Sequence, residues 1–327
     1  MPAVTMIANF LRDVVKYHKK KILVALLSLL FFSVVLFPYD DLADVITVQV
    51  AKLSNNQVFL QFEHLGLDVI PAPGLNLEQV EVSTPSLPPL KADELTLSPS
   101  IAGLLTFKPG FVARAKGFLE GDITLNFKSG DKIEEGVYRQ DIDLSVGSLE
   151  LSALKDLIEL PVTLKGKANL QTSLVVDPTY RDQPDGELEL STGKISLPPS
   201  TVPTYYGPLS LPAFHWSQVK LKGRLSAGKL YIEMAEIGDA KDSFNGQVKG
   251  SISMSMAPGP GGMTPKFGAY ELKLKLNVDK TAQDSLSLFL GILDGYKKQT
   301  LKGASYEVKI SGTQFGVNPS ISPLTTF

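Results

Sequence analysis

The sequence predicts a mainly β chain: an N-terminal transmembrane helix followed by a long, curved antiparallel β-sheet, open groove or sandwich-like, with a few short helices. Residues 22–37 read ILVALLSLLFFSVVLF without a charge, and from about Gln57 onward apolar residues recur at every second position in segment after segment. That period belongs to strands with one apolar and one wet face. With 43% hydrophobic residues in 327, the chain has enough apolar surface for a core and is not expected to be disordered.

The uncharged run spans a bilayer if Lys21 and Tyr39 at its ends snorkel toward the headgroups. A helix apolar on every face, flanked by His18-Lys19-Lys20-Lys21 and by Pro38, does not suit a soluble surface. Arg12, Lys16, Lys19, Lys20 and Lys21 precede it against a single Asp13, whereas Asp40, Asp41 and Asp44 follow it. Positive-inside logic therefore divides the chain into a cytoplasmic basic tail at 1–21, an anchor at 22–39, a juxtamembrane helix at 40–56 and an exported β-rich domain at 57–327. Leu36-Phe37-Pro38-Tyr39 offers no small-residue cleavage site, so the anchor is expected to be retained. An exported domain with no cysteine suits the bacterial periplasm, which places the protein in the inner membrane with one pass.

Leu42, Val45, Ile46, Val50 and Leu53 fall at helical steps and mark the juxtamembrane helix. The longest alternation runs from Val162 to Val176, which as one strand would measure roughly 50 Å at about 3.3 Å per residue. Shorter alternations predict strands around residues 123–127, 142–146, 188–190, 195–197, 219–221, 230–234, 252–256, 270–278 and 306–310. Asp185-Gly186, Ser191 to Lys194, Ser226 to Lys229 and Phe244-Asn245-Gly246 read as hairpin turns. Helices are expected at Pro99 to Leu105 behind Ser98, at Ala153 to Leu160 behind Ser152, and at Ala282 to Lys298 with Thr281 as N-cap. Proline-rich stretches at 71–74, 83–89, 197–212 and 257–265 read as irregular loops within one domain.

Chemistry is sparse. Lys and Arg number 32 against 34 Asp and Glu, so no cationic field exists to hold nucleic acid. Three histidines and no cysteine leave little for metal ligation and nothing for thiolate catalysis. Gly223 to Lys229 fits GxxxxGK, but Leu230 stands where Ser or Thr must hold Mg²⁺, and the segment joins two alternating strands. Asp239, Asp242 and Asn245 miss the alternate-position spacing of a calcium loop and read as a solvated turn. Asp141 and Asp143 share the wet face of a strand with no nameable base, and His215-Trp216 reads as packing at a loop-to-strand junction. No catalytic residue, cofactor or metal is assigned, and the chain is read as a non-enzyme.

Basic tail, single span and juxtamembrane helix are followed by Leu75-Asn-Leu-Glu-Gln-Val-Glu-Val and then Leu90-Lys-Ala-Asp-Glu-Leu-Thr-Leu-Ser-Pro-Ser-Ile-Ala-Gly-Leu-Leu. Near the end stands Tyr306-Glu-Val-Lys-Ile-Ser-Gly-Thr with Asn318-Pro319. This order resembles the N protein (GspN) family of bacterial type II secretion systems, with a general likeness to AsmA-like anchored β-proteins. The resemblance implies an inner-membrane, periplasm-facing accessory component of protein secretion, with other secretion-system or envelope proteins as partners. Its AsmA-like side implies instead a β-groove that binds or transfers phospholipid or glycolipid between envelope membranes. Groove-lining candidates are Val162, Leu164, Leu170 and Leu174 on the longest alternation and Leu272, Leu274 and Leu276 on another; a sealed β-sandwich would use the same residues as core.

Overall fold

The computed structural model describes residues 19–21, 23–29, 32–33, 36–68, 73–85, 87–106, 108–157, 160–179, 181–204, 207–259, 262–314 and 317–324. No helix among them is long and apolar enough to cross a membrane. Residues 19–21, 23–29 and 32–33 are helical, but much of the expected basic tail and several positions of the expected anchor lie outside the described residues.

Alternation becomes sheet. In chain order the strands are β1 (Phe59–Gln61), β2 (His64–Asp68), β3 (Gly74–Thr84), β4 (Leu87–Pro99), β5 (Gly110–Phe118), β6 (Gly121–Glu134), β7 (Val137–Glu150), β8 (Lys167–Val176) and β9 (Asp185–Thr192). Four short strands follow: β10 (Ile195–Leu197), β11 (Ser200–Thr204), β12 (Gly207–Leu211) and β13 (Phe214–Trp216). Then come β14 (Val219–Ser226), β15 (Lys229–Ile237), β16 (Phe244–Gly259), β17 (Gly262–Asp279), β18 (Lys297–Gln299), β19 (Gly303–Gly312) and β20 (Ser320–Pro323). Among the described residues one sheet takes sixteen of them along the path β1-β3-β4-β5-β6-β7-β8-β9-β14-β15-β16-β17-β19-β18, with β2 on β3 and β20 on β19. The small pairs β10-β13 and β11-β12 stand off it as an excursion between β9 and β14. Each edge is made of two short strands laid end to end: β2 and β1 along β3, and β18 and β20 along β19.

Two-residue turns join many neighbours. Ser226 faces Lys229 across Ala227 and Gly228, both at positive φ, as the sequence suggested. Leu119 and Glu120 make the same kind of turn with φ of 48° and 61°, without the Asn or Gly that normally announces it.

Several expectations are corrected. The 162–176 alternation is not one strand: β8 begins at Lys167, and Gly166 before it adopts φ +134°, a left-handed conformation that turns the preceding residues out of line. Asp185-Gly186 lies inside β9, and Phe244-Asn245-Gly246 inside β16.

Some of the prolines expected in irregular loops sit in strands for one shared reason, while Pro73, Pro85, Pro198, Pro199 and Pro212 lie outside strands as expected. Beyond Ser253, β16 has lost β15 as a neighbour, and before Tyr270, β17 has no contact with β19, so residues 254–259 and 262–267 form a two-stranded extension. Proline lacks a donor only a second neighbour would need, and is tolerated there. Pro88 and Pro89 occupy the part of β4 that pairs with β3 alone, and Pro203 and Pro208 the isolated β11-β12 pair.

Helices are short: α1 (Ala43–Leu53), α2 (Ile101–Leu105), α3 (Leu154–Leu157), α4 (Lys280–Ser285) and α5 (Ser287–Leu290). The expected Ala282 to Lys298 helix is broken. It is capped by Asp279, whose side chain accepts the Ala282 N–H at 2.7 Å, and Gly291–Tyr296 continues as a 3₁₀ turn. Lys297 and Lys298 join β18, where the Lys298 ammonium meets Glu307 at 2.6 Å rather than a helix end. Pro99 stays in β4, and α2 is capped at its start by Ser100, whose hydroxyl accepts the Gly103 N–H at 3.1 Å. The helix expected from Ala153 is a 3₁₀ turn (Leu151–Ala153) followed by α3.

The core falls into clusters. Tyr39, Ile46 and Val50, from the first turn and α1, cover Leu60, Leu65, Leu77 and Val80. Residues from the β10-β13 excursion and from 282–293 cover Leu276, Val278, Ala304 and Tyr306, and Leu151, Ala168 and Ile195 form a third group beside them.

Candidate functional site: an apolar sheet face

The pairing register lines up side chains across the sheet. One row begins Leu75–Leu97–Ala113–Leu125–Leu144 and continues through Thr172, Leu188, Gly223, Ile232, Gly250 and Leu272 to Ile310. A parallel row runs through Phe111, Phe127, Ile142, Leu174, Gly186, Leu225, Leu230, Ile252 and Tyr270. Neither contains a charged side chain. Crossing twelve strands at about 4.8 Å each, the first row extends roughly 50 Å, beyond the ~30 Å depth of a bilayer's hydrocarbon core.

Burial is graded along the strands. On β17, Val278 and Leu276 are buried, Leu274, Leu272 and Tyr270 are half-buried, and Phe267 is exposed. On β19, Ala304, Tyr306 and Val308 are buried and Ile310 is half-covered. On β7, Val146 is buried while Leu144 and Ile142 are not. Side chains from the excursion and from 282–293 pack the first end of this gradient. In the two rows traced above, no Leu, Ile, Phe or Tyr is fully buried, and Phe111, stacked 5.0 Å from Phe127, is 40% exposed.

The opposite face is polar. Thr96, Arg114, Thr124, Ser145, Gln171, Glu189 and Lys222 lie in one row. Ion pairs link Lys116 to Glu94 at 2.8 Å, Lys309 to Glu271 at 2.9 Å, and Lys275 to Glu307 at 3.2 Å. Lysine hydrogen bonds hold the Glu94 and Glu307 carboxyls below the usual range, and the Glu94 bond raises the Lys116 ammonium.

The seven nominated residues separate. Leu170, Leu174, Leu272 and Leu274 lie half-buried on the apolar face, and Leu276 is buried in the packed end. Val162 and Leu164 precede β8 and pack against the same cluster as Leu276. Sequence reasoning missed Phe111, Leu125, Leu144 and Leu188; each carries the alternation signal, but only the register shows that they meet in rows.

Other polar motifs are engaged locally. Asp242 accepts from Ser217 and from the Asp239 N–H, and Asn245 accepts from the Asn277 amide at 2.9 Å. Asp143 accepts the Ser173 hydroxyl at 2.7 Å. Trp216 stacks on Phe214 at 5.7 Å, while His215 is exposed. Gly223 to Lys229 spans the β14–β15 hairpin. Among the described residues no group of His, Asp and Glu could hold a metal ion. What the face offers is contact for apolar chains. Compared with protein-family models, curated proteins and solved structures, the chain matches none.

Proposed function

We propose that the chain is a non-catalytic, membrane-anchored envelope protein whose sheet carries the acyl chains of lipids along its open apolar face. One observation supports this reading: two adjacent uncharged rows cross the sheet, and their large side chains are left only half-covered. Transfer of a long acyl chain from a bilayer must be offset at ~0.8 kcal/mol per CH₂, on the order of 10 kcal/mol in all. Rows of Leu, Ile and Phe, broken only by Thr172 and by the small residues Ala113, Gly186, Gly223 and Gly250, supply contact in small increments along their length, so a chain can shift by a strand without meeting a charge. Anchor and outward orientation rest on the uncharged run at 22–37 and the basic residues before it.

Mass spectrometry of the full chain extracted in mild detergent is the test. Co-purifying phospholipid, lost on Leu144→Asp or Leu188→Asp, is the expected result; a wild-type protein free of lipid overturns the reading. A second reading, an accessory part of a protein-secretion assembly, draws on the family resemblance and on the short edge strands, which a partner's strand could extend. Unchanged export of folded substrates after deletion of the gene would count against it.

A further inference from the structure

Two cavities meet where β4 ends. The first, about 720 Å³, lies on the apolar side and is lined by Leu67, Leu75, Leu97, Pro99 and Phe111. The second, about 420 Å³, lies on the polar side and is lined by Asp68, Glu94, Thr96, Arg114 and Lys116. Ser98 and Pro99 contribute to the walls of both, so the apolar and polar spaces adjoin at one margin of the sheet. The apolar space is a shallow depression open to solvent and the polar one is deeper, and both volumes fall in the range of small-molecule sites.

Charges in the polar cavity sort themselves. Glu94 and Lys116 are 2.8 Å apart and neutralise one another, with the Thr96 hydroxyl donating to the same carboxylate. That leaves one guanidinium and one carboxylate. Arg114 is exposed and makes no ion pair among the described residues, and Asp68 forms no ion pair within 4 Å among them, its charge reaching the Lys116 ammonium only at longer range. A planar guanidinium suits a phosphate oxygen pair, and a carboxylate suits an ammonium. One cationic and one anionic group beside an apolar cavity complement a molecule that is itself zwitterionic at one end and oily at the other.

We infer that this margin is a docking site for one phospholipid with an amine-bearing, zwitterionic headgroup, its chain in the apolar cavity, its phosphate on Arg114 and its ammonium on Asp68. The inference rests on the apolar-face reading above and adds the class of lipid that enters there.

Retention of three lipids with identical acyl chains tests it by native mass spectrometry of the full chain: phosphatidylethanolamine, phosphatidylglycerol and diacylglycerol. Arg114→Gln is expected to lower retention of both phospholipids roughly tenfold, leaving diacylglycerol unchanged. Asp68→Asn lowers only phosphatidylethanolamine, and Phe111→Asp lowers all three. Arg114→Lys, which keeps the charge, restores part of the loss. Equal retention of phosphatidylethanolamine by wild type, Arg114→Gln and Asp68→Asn overturns the headgroup site while diacylglycerol binding leaves the groove standing. Competition by inorganic phosphate that leaves the acyl chain's contribution at zero also overturns it, as an anion site only. If wild type retains none of the three, the groove itself fails and the headgroup site with it.

Discussion

Asp242 holds Ser217 with both of its carboxylate oxygens: Oδ2 accepts the backbone N–H at 2.8 Å and Oδ1 accepts the hydroxyl at 2.7 Å. Ser217 lies where the β10-β13 excursion returns to the sheet, and Asp242 lies in the connection from β15 to β16. The pair therefore fixes the place at which the side excursion rejoins the meander.

This contact gives stability a pH dependence. Burial pushes the Asp242 carboxyl up, but the bonds from Ser217 and from the Asp239 N–H outweigh it and hold the group below its ordinary 3.8. A folded-state value below the unfolded one contributes stability fully present above the unfolded value, and lost as pH falls through the folded value. Asp242→Asn is expected to cost about 1–2 kcal/mol at pH 7. Urea unfolding at pH 7 and at pH 3 or below should show the gap between variant and wild type narrowing at acid pH. A gap that stays constant would show that the carboxylate charge is irrelevant.

Tyr306 is fully buried in an apolar cluster, and its hydroxyl has no hydrogen-bond partner among the described residues. Burial, with the nearby Asp294 charge, raises its pKa, so it stays neutral across the physiological range. Tyr306→Phe removes an unsatisfied donor without changing the ring, and is expected to be neutral or stabilising by about 1 kcal/mol. A clear destabilisation by thermal unfolding would mean that the hydroxyl has a role in the fold.

The burial gradient predicts opposite rankings for two leucines. Leu276→Ala, at the packed end, is expected to cost about 2–5 kcal/mol, with little effect on any bound acyl chain. Leu144→Ala, half-exposed, should cost less than about 1.5 kcal/mol yet lower lipid retention. Denaturant midpoints and extracted lipid per mole of protein measure the two properties separately; parallel losses in both would dissolve the distinction.

Asp279→Ala removes the cap of α4 and is expected to lower stability by about 1 kcal/mol, whereas Thr281→Ala should change little. The reverse order in chemical denaturation would place the start of the helix two residues later.

How much of this was legible in the sequence depends on the range of the interaction involved. Alternation at Ile142-Leu144-Val146 and Tyr270 to Val278 is a property of adjacent residues, and it becomes β7 and β17 directly. Prolines misled because their tolerance depends on whether a second strand lies alongside, which Pro88 or Pro258 cannot report locally. Lys297 and Lys298 read as a helix end, but an open edge of β19 was there to recruit them. The apolar candidates were legible as a type of surface and not as a place: Leu170 and Leu276 share the same pattern, and only the cover brought by residues far along the chain separates them.

Apart from the crossing from β9 to β14, the central strands bond to their immediate successors in the chain until β17 meets β19. A pair of strands can then be spliced in or removed at a turn without rethreading anything else. The reach of such a molecule is thus a quantity that duplication or deletion of a hairpin can adjust in steps, while the surface it presents keeps the same character from end to end.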